Sequence, residues 1–173
     1  MTHVLVVDDS SVDRQLIERL LQKQPRWTTH SSQNGIEALT RIQEAVPDLV
    51  VTDLQMPEMD GLELVGAIHA RHAAIPVVLT TAHGSEELAV RALTQGAASY
   101  VPKSQLAAKL ANTVDELVTM ANADRSYERL IDSMERTEFT FVLGNELGPI
   151  DALVDLVQKM VVGVEFCDFA GRL

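Results

Sequence analysis

The chain has 173 residues, enough for one ordinary domain of about 100 to 150 residues plus an extension but short of two complete ones. Its composition, 46% hydrophobic with only 4% aromatic residues, suits helices packed on a buried sheet and excludes a disordered or fibrous chain. Fourteen Lys and Arg against 25 Asp and Glu leave a net charge of -11. With no visible basic patch, that charge repels polyanions and argues against direct nucleic-acid binding.

A single cysteine, Cys167, allows no internal disulfide and no structural zinc set, so a reduced thiol and a cytoplasmic location are the simplest expectation. Met1 to Val7 carries no basic leader and meets two aspartates after four apolar residues, too short for a signal peptide. No apolar run approaches the roughly 18 residues of a membrane span. A soluble protein with no membrane partner is expected.

Short apolar runs alternate with helical patterns from the first residues. Val4 to Val7, Leu49 to Thr52, Val77 to Thr80 and Ser99 to Val101 read as buried strands, being β-branched, uniformly apolar and bounded by polar residues or Gly. Trp27 to Ser31 makes a weaker fifth. Between them, Ser11 to Gln24, Gly35 to Ala45, Gly61 to His72 and Ser85 to Gln95 place apolar residues three and four apart, the mark of amphipathic helices. Ser10 or Ser11 can cap the first helix, Pro25 follows its end, and Gly96 follows the helix beginning near Ser85. Five β-α units with right-handed crossovers predict an α/β fold, a doubly wound five-stranded parallel sheet whose functional crevice lies at the carboxyl ends of the strands.

After Lys103 comes a long helix whose apolar stripe is Leu106, Leu110, Val114, Leu117 and Ala121. A polar patch, Asn122 to Ser126, interrupts it before Leu130, Ile131 and Met134 resume the pattern up to Arg136, as one kinked helix or two. Then follow a strand from Phe139 to Leu143, a Gly/Asn/Pro turn region and an apolar helix from about Ile150 to Val162. The expected division is 1–123 as the first domain, 124–137 as a helical linker and 138–173 as a partial C-terminal module. Acids outnumber bases in the tail, so a protein partner or self-association fits it better than nucleic acid.

The chemistry sits at the strand ends. Asp8 and Asp9 end the first strand, Asp53 the third, Thr81 the fourth, and Lys103 the fifth. Three carboxylates on one sheet edge repel one another unless a cation joins them, and Mg²⁺, a hard ion that keeps waters and leaves room for phosphate oxygens, is the natural candidate. A carboxylate can also act as a nucleophile toward phosphorus. Phosphoryl transfer then needs little beyond positioning and charge neutralisation, which Mg²⁺, the Lys103 ammonium and the Thr81 hydroxyl could supply.

Taken singly, each residue has a plainer reading. An Asp pair after a strand is often a helix cap, Thr81 a strand-end residue bonding its own backbone, Lys103 a surface charge, and Tyr100 a half-buried core aromatic. Their order and spacing lift them above it. Of the five histidines only His69 and His72 lie three apart, and a solvated helix face accounts for that pair.

In that order, these residues resemble the response-regulator receiver domain of two-component signalling, with its flavodoxin-like fold, over roughly residues 1 to 123. The likeness extends to Val6-Val-Asp-Asp-Ser10, Asp53-Leu-Gln-Met-Pro-Glu-Met-Asp-Gly-Leu-Glu-Leu64, Leu79-Thr-Thr-Ala82, Gly96-Ala-Ala98 and Tyr100-Val-Pro-Lys103. The resemblance implies that Asp53 accepts phosphoryl from a phosphohistidine of a sensor histidine kinase or phosphotransfer protein. It further implies that Asp9, Asp53 and the Gln55 backbone carbonyl ligate Mg²⁺, with Asp8 acting on the ion mainly through water. Lys103 would contact a phosphate oxygen, Thr81 would move toward the phosphate, and Tyr100 would follow by changing rotamer. The resemblance thus implies a signalling phosphoacceptor and not an enzyme, its only chemistry being its own phosphorylation and dephosphorylation.

Two positions depart from or tune the pattern. Receivers commonly follow the lysine with a proline joined by a cis bond; Ser104 follows here, where a cis bond would cost a few kcal/mol more, so a different loop geometry is expected. Gln55 and His83 stand where the family tunes the lifetime of the phosphoryl group.

A rival class, the haloacid-dehalogenase-like phosphatases, also uses a strand-end aspartate, Mg²⁺, a threonine and a lysine, but needs a second acid two residues after the nucleophile. Gln55 and Ser10 stand at those positions. A scaffold that keeps the fold without phosphorylation is a third reading, against which all five pocket residues argue. From Phe139 onward the tail resembles the start of a GHKL-type, anti-sigma-like ATPase domain whose Mg-ATP motifs would lie past Leu173. A plainer reading has that strand and helix packing back on the first domain or a second copy. A homodimer through the 85–123 face or the long C-terminal helix is a further expectation from the apolar stripe.

Overall fold

The computed structural model describes residues 1–82 and 86–132. The elements are β1 (Thr2–Val7), α1 (Ser11–Leu21), β2 (Trp27–Ser32), α2 (Gly35–Glu44), β3 (Leu49–Asp53), α3 (Gly61–Arg71), β4 (Val77–Thr81), α4 (Glu86–Thr94) and β5 (Ser99–Pro102). A 3-10 turn, Lys103–Gln105, leads into α5 (Leu106–Asp132). The five-stranded parallel, flavodoxin-like sheet expected from the sequence is present. By compactness the chain divides into two units, Met1–Arg125 and Ser126–Leu173. The expected strand at Phe139, the helix at Ile150 and the ATPase-like start lie outside the described residues, as do His83, Ser85 and Cys167.

Every residue of β3 and β4 is buried, as parallel strands covered on both faces must be. Alternate side chains feed two cores. Leu5, Val7, Val50, Val77 and Leu79 meet Ala38 and Ile42 of α2, Leu64, Val65 and Ile68 of α3 and Ala92 of α4. Val4, Val6, Leu49, Val51, Val78 and Val101 meet Ile17 and Leu21 of α1 and Leu106, Leu110, Val114 and Val118 of α5. Each of the Val, Leu and Ile side chains contributes about 1.5 to 3 kcal/mol by leaving water. The buried stripe of α5 follows a strict four-residue step through Val118, and Leu117 is only partly buried. The helix continues through Asn122 to Ser126 as far as Asp132, so the polar patch does not end it.

Helix starts follow local chemistry. Ser10 caps α1, Asn34 caps α2, and Asp60 caps α3 with Glu63 closing a reciprocal capping box. The strand order β2-β1-β3-β4-β5 reverses between β1 and β3. Their register, Val7 opposite Thr52, sets the residues just beyond, Asp8 and Asp53, side by side at this switch point.

Candidate functional site

Asp8 follows the last residue of β1, and its amide donates to the Ser32 carbonyl at 3.2 Å. Its side chain is fully buried: one oxygen accepts from the Ser10 amide at 2.8 Å and the other from Lys103 Nζ at 2.7 Å. The Arg14 guanidinium donates to its carbonyl. Asp53, the last residue of β3, is 5% exposed; Oδ2 accepts from the Gln55 amide at 3.0 Å and Oδ1 lies 3.0 Å from Lys103 Nζ. Lys103, at the start of the 3-10 turn, also donates to Asp13 at 2.7 Å. Carboxylates 50, 90 and 95 positions before Lys103 thus converge on its ammonium, as the parallel strand ends allow.

The remaining expected residues sit around this centre. Asp9 is exposed and, with Gln55, Met56, Asp60, Leu88 and Arg91, lines a cleft of about 670 Å³ beside the Asp53 loop. Thr81 ends β4, is 2% exposed and pairs in register with Pro102 of β5. Tyr100, opposite Leu79 on β5, packs against the α2-α3-α4 core, and its hydroxyl is buried with no hydrogen-bond partner among the described residues. All peptide bonds among the described residues are trans, the Lys103–Ser104 bond included, in keeping with serine at that position. A second hollow, of about 390 Å³, lies around His3, Leu5, His30, Ala45 and Val46. It carries none of the acids of this site.

The electrostatics are those of crowded carboxylates. Burial raises the Asp8 carboxyl above the usual carboxylate range, against the pull of Lys103 and the Ser10 amide. Burial alone would lower Lys103, but hydrogen bonds to Asp13, Asp8 and Asp53 outweigh it and hold the ammonium above the usual lysine range. Burial likewise raises Tyr100. Among the described residues no three acids, histidines or cysteines are gathered as a ready metal-ligand cluster. The donor chemistry nevertheless fits Mg²⁺. Three carboxylates share one ammonium, Asp9 stands at the rim, and every donor is a hard oxygen.

Two features escaped the sequence reading. Asp13 is the third carboxylate on Lys103, and its only sequence signal, an acid three residues after Ser10, is also that of a capping box. Gly61 is the other: a Cβ there would lie 2.1 Å from the Asp53 carbonyl oxygen. Its amide donates to the Leu54 carbonyl at 2.9 Å, so the start of α3 rests directly on the Asp53 backbone.

The family model for the response regulator receiver domain matches residues 4–115. The DNA-binding transcriptional regulator NtrC of Escherichia coli (strain K12) is 42% identical over 100 residues, which are 58% of this chain and 21% of NtrC. The chain therefore spans about a fifth of that relative. The chemotaxis protein CheY of Listeria monocytogenes is 33% identical over 103 residues, covering 60% of this chain and 87% of CheY. Among solved structures, the receiver domain of NtrX from Brucella abortus superposes with a TM-score of 0.63 at 30% identity, over 67% of this chain and 98% of that one. The ATPase-like resemblance of the tail gains no support from these comparisons.

Proposed function

The chain belongs to the response regulator receiver domain family, and on that premise we propose that it is a phosphorylation switch whose acceptor is Asp53. Receiver domains of this family are the phosphoacceptors of two-component signalling. One observation carries the assignment to Asp53: it is a nearly buried strand-end carboxylate held 3.0 Å from the Lys103 ammonium, at the point where the strand order reverses.

An oxygen of Asp53 forms a bond to phosphorus as the P–N bond of the donor phosphohistidine breaks, its electron pair leaving with the imidazole. The Gln55 amide orients the Asp53 carboxylate by bonding its other oxygen. Lys103 neutralises charge on the transferred group. Asp9, Asp53 and the Gln55 carbonyl would hold Mg²⁺, with Asp8 acting on it through water, and the ion would supply further neutralisation of the phosphoryl oxygens. The donor is a sensor histidine kinase or a phosphotransfer protein. Gln55, a carboxamide, leaves the phosphatase alternative without its general acid.

The new charge draws the Thr81 hydroxyl, and Tyr100 follows. The unpartnered Tyr100 hydroxyl supports this, because moving the ring breaks no hydrogen bond of its own. The signal leaves the 1–123 module through the 100–123 face and α5 toward the 124–137 linker, the 138–173 segment and a partner, or to a second copy. Val90 and Leu93 on α4 and Met120 on α5, all exposed, support an apolar contact on the 85–123 side.

Incubation with Mg²⁺ and phosphoramidate, whose P–N bond reproduces that of phosphohistidine, tests the acceptor. Intact-mass measurement should find one phosphoryl group on the wild type and none on Asp53→Asn. Equal uptake by both would remove Asp53 from the role.

A further inference from the structure

Helices α1 and α3 open on the same pattern, a capping residue followed three positions later by an acid. In α3 the pattern closes on itself: the Glu63 amide donates to Asp60 at 2.8 Å and the Asp60 amide to Glu63 at 3.0 Å. In α1 only half is made. Ser10 Oγ accepts from the Asp13 amide at 3.3 Å, while the Ser10 amide that would bind Asp13 in return is taken by Asp8 at 2.8 Å. The Asp13 carboxylate turns instead to Lys103 Nζ at 2.7 Å.

An ammonium has three N–H donors; here Asp8 and Asp13 each accept one, and the Asp53 carboxylate lies within ion-pair range. Asp8 and Asp13 each lie 2.7 Å away and Asp53 3.0 Å. A phosphoryl oxygen on Asp53 would take the place of that carboxylate beside Lys103 and compete with Asp8 and Asp13 for the ammonium. Asp8 is fully buried and cannot return to water, whereas the Asp13 side chain is 33% exposed and can.

We propose that Asp13 is a positioning residue for phosphoryl transfer, which shares the Lys103 ammonium and yields it to the phosphoryl group, so weakening the grip of Lys103 on that group. This rests on the reading of Asp53 as the acceptor. Neutralising Asp13 removes a competitor and tightens binding of anything that mimics the phosphoryl group on Asp53.

The test is the affinity of the full chain for beryllofluoride, a mimic of the aspartyl phosphate, at saturating Mg²⁺. Asp13→Asn should bind roughly three- to fivefold more tightly than wild type, the scale of one partly exposed ion pair. Asp13→Ala is a second variant with the same expectation should the first fold poorly. Asp13→Glu, which restores a carboxylate, should return the affinity toward wild type. Glu18→Gln removes the same charge from α1 away from Lys103 and should leave it unchanged. Unchanged affinity in both neutral variants, or an equal gain in Glu18→Gln, would overturn the role of Asp13 and leave Asp53 as acceptor. Absence of any binding that depends on Asp53, judged by Asp53→Asn, would instead overturn the acceptor reading and this inference with it.

Discussion

The two ends of the sheet handle charge in opposite ways. At the amino-terminal end, Asp48 just before β3 has complementary partners, accepting from the His3 amide at 2.9 Å and from Arg125 of α5 at 2.8 Å, while Arg26 pairs with Asp115 of α5. Burial works against the Asp48 charge, but the His3 amide and Arg125 outweigh it and hold the carboxyl below its usual range. At the carboxyl-terminal end, three carboxylates crowd one ammonium and burial pushes Asp8 the other way. One end is arranged to hold the fold; the other keeps unbalanced negative charge, at some cost to stability.

Substitutions at the two ends put that contrast at risk. The largest effect is expected from Gly61→Ala, whose methyl group would drive into the Asp53 carbonyl and destabilise the fold by about 3 kcal/mol in urea unfolding. Gly66→Ala, in the same helix with open space around it, should instead stabilise by about 0.5 to 1 kcal/mol. A gain at Gly61→Ala equal to that at Gly66→Ala would show that helix propensity, not the close approach to Asp53, governs the first.

Next comes a pair of isosteric changes of opposite sign. Asp53→Asn removes one of three mutually repelling carboxylates and should stabilise by about 1 kcal/mol, whereas Asp48→Asn weakens a satisfied, partly exposed pair and should cost about 1 kcal/mol. Urea midpoints moving in the same direction would collapse the distinction between the two ends.

Acid titration sharpens it. The folded Asp48 carboxyl lies below its unfolded value of about 3.9, so its contribution is present above that value and lost as pH falls through the folded one. Asp8 has the reverse sign. Its folded value is raised, so its contribution is complete below the unfolded value and lost as pH rises through the folded one. Asp48→Asn should therefore flatten the acid-side loss of stability, and Asp8→Asn should remove a loss on the rising side. The smallest effect is expected from Tyr100→Phe, which deletes a buried hydroxyl with no partner among the described residues and should stabilise by about 0.5 kcal/mol in thermal unfolding.

The central strands were legible because burial on both faces leaves an uninterrupted apolar run, as in Val4 to Val7 and Leu49 to Val51. Strand β2 was faint for the converse reason. Among the described strands it pairs only with β1, and its Thr29, His30 and Ser31 need not be apolar at an edge. The jump of β3 over β1 has no local signature, since it arises from how the helices cover both faces. At the site, Asp8, Asp53, Thr81 and Lys103 stood out as polar residues ending apolar runs. Asp13 did not. Its use depends on Asp8 having already occupied the Ser10 amide, a competition visible only once both strand ends are placed. The meaning of Gly61 likewise lies in a backbone approach between residues eight positions apart.

That approach also makes the segment after Asp53 a self-contained cassette. The Gly61 amide ties to the Leu54 carbonyl at 2.9 Å, and the Leu54 amide ties to the Thr80 carbonyl of β4 at 2.8 Å, so the 55–60 loop is closed at its base and moored to the sheet. Residues within such a closed loop can be exchanged for those of another receiver while both of its ends keep their anchors. Grafting between related proteins can therefore recut the rim of the cleft beside Asp53 without moving the aspartate beneath it.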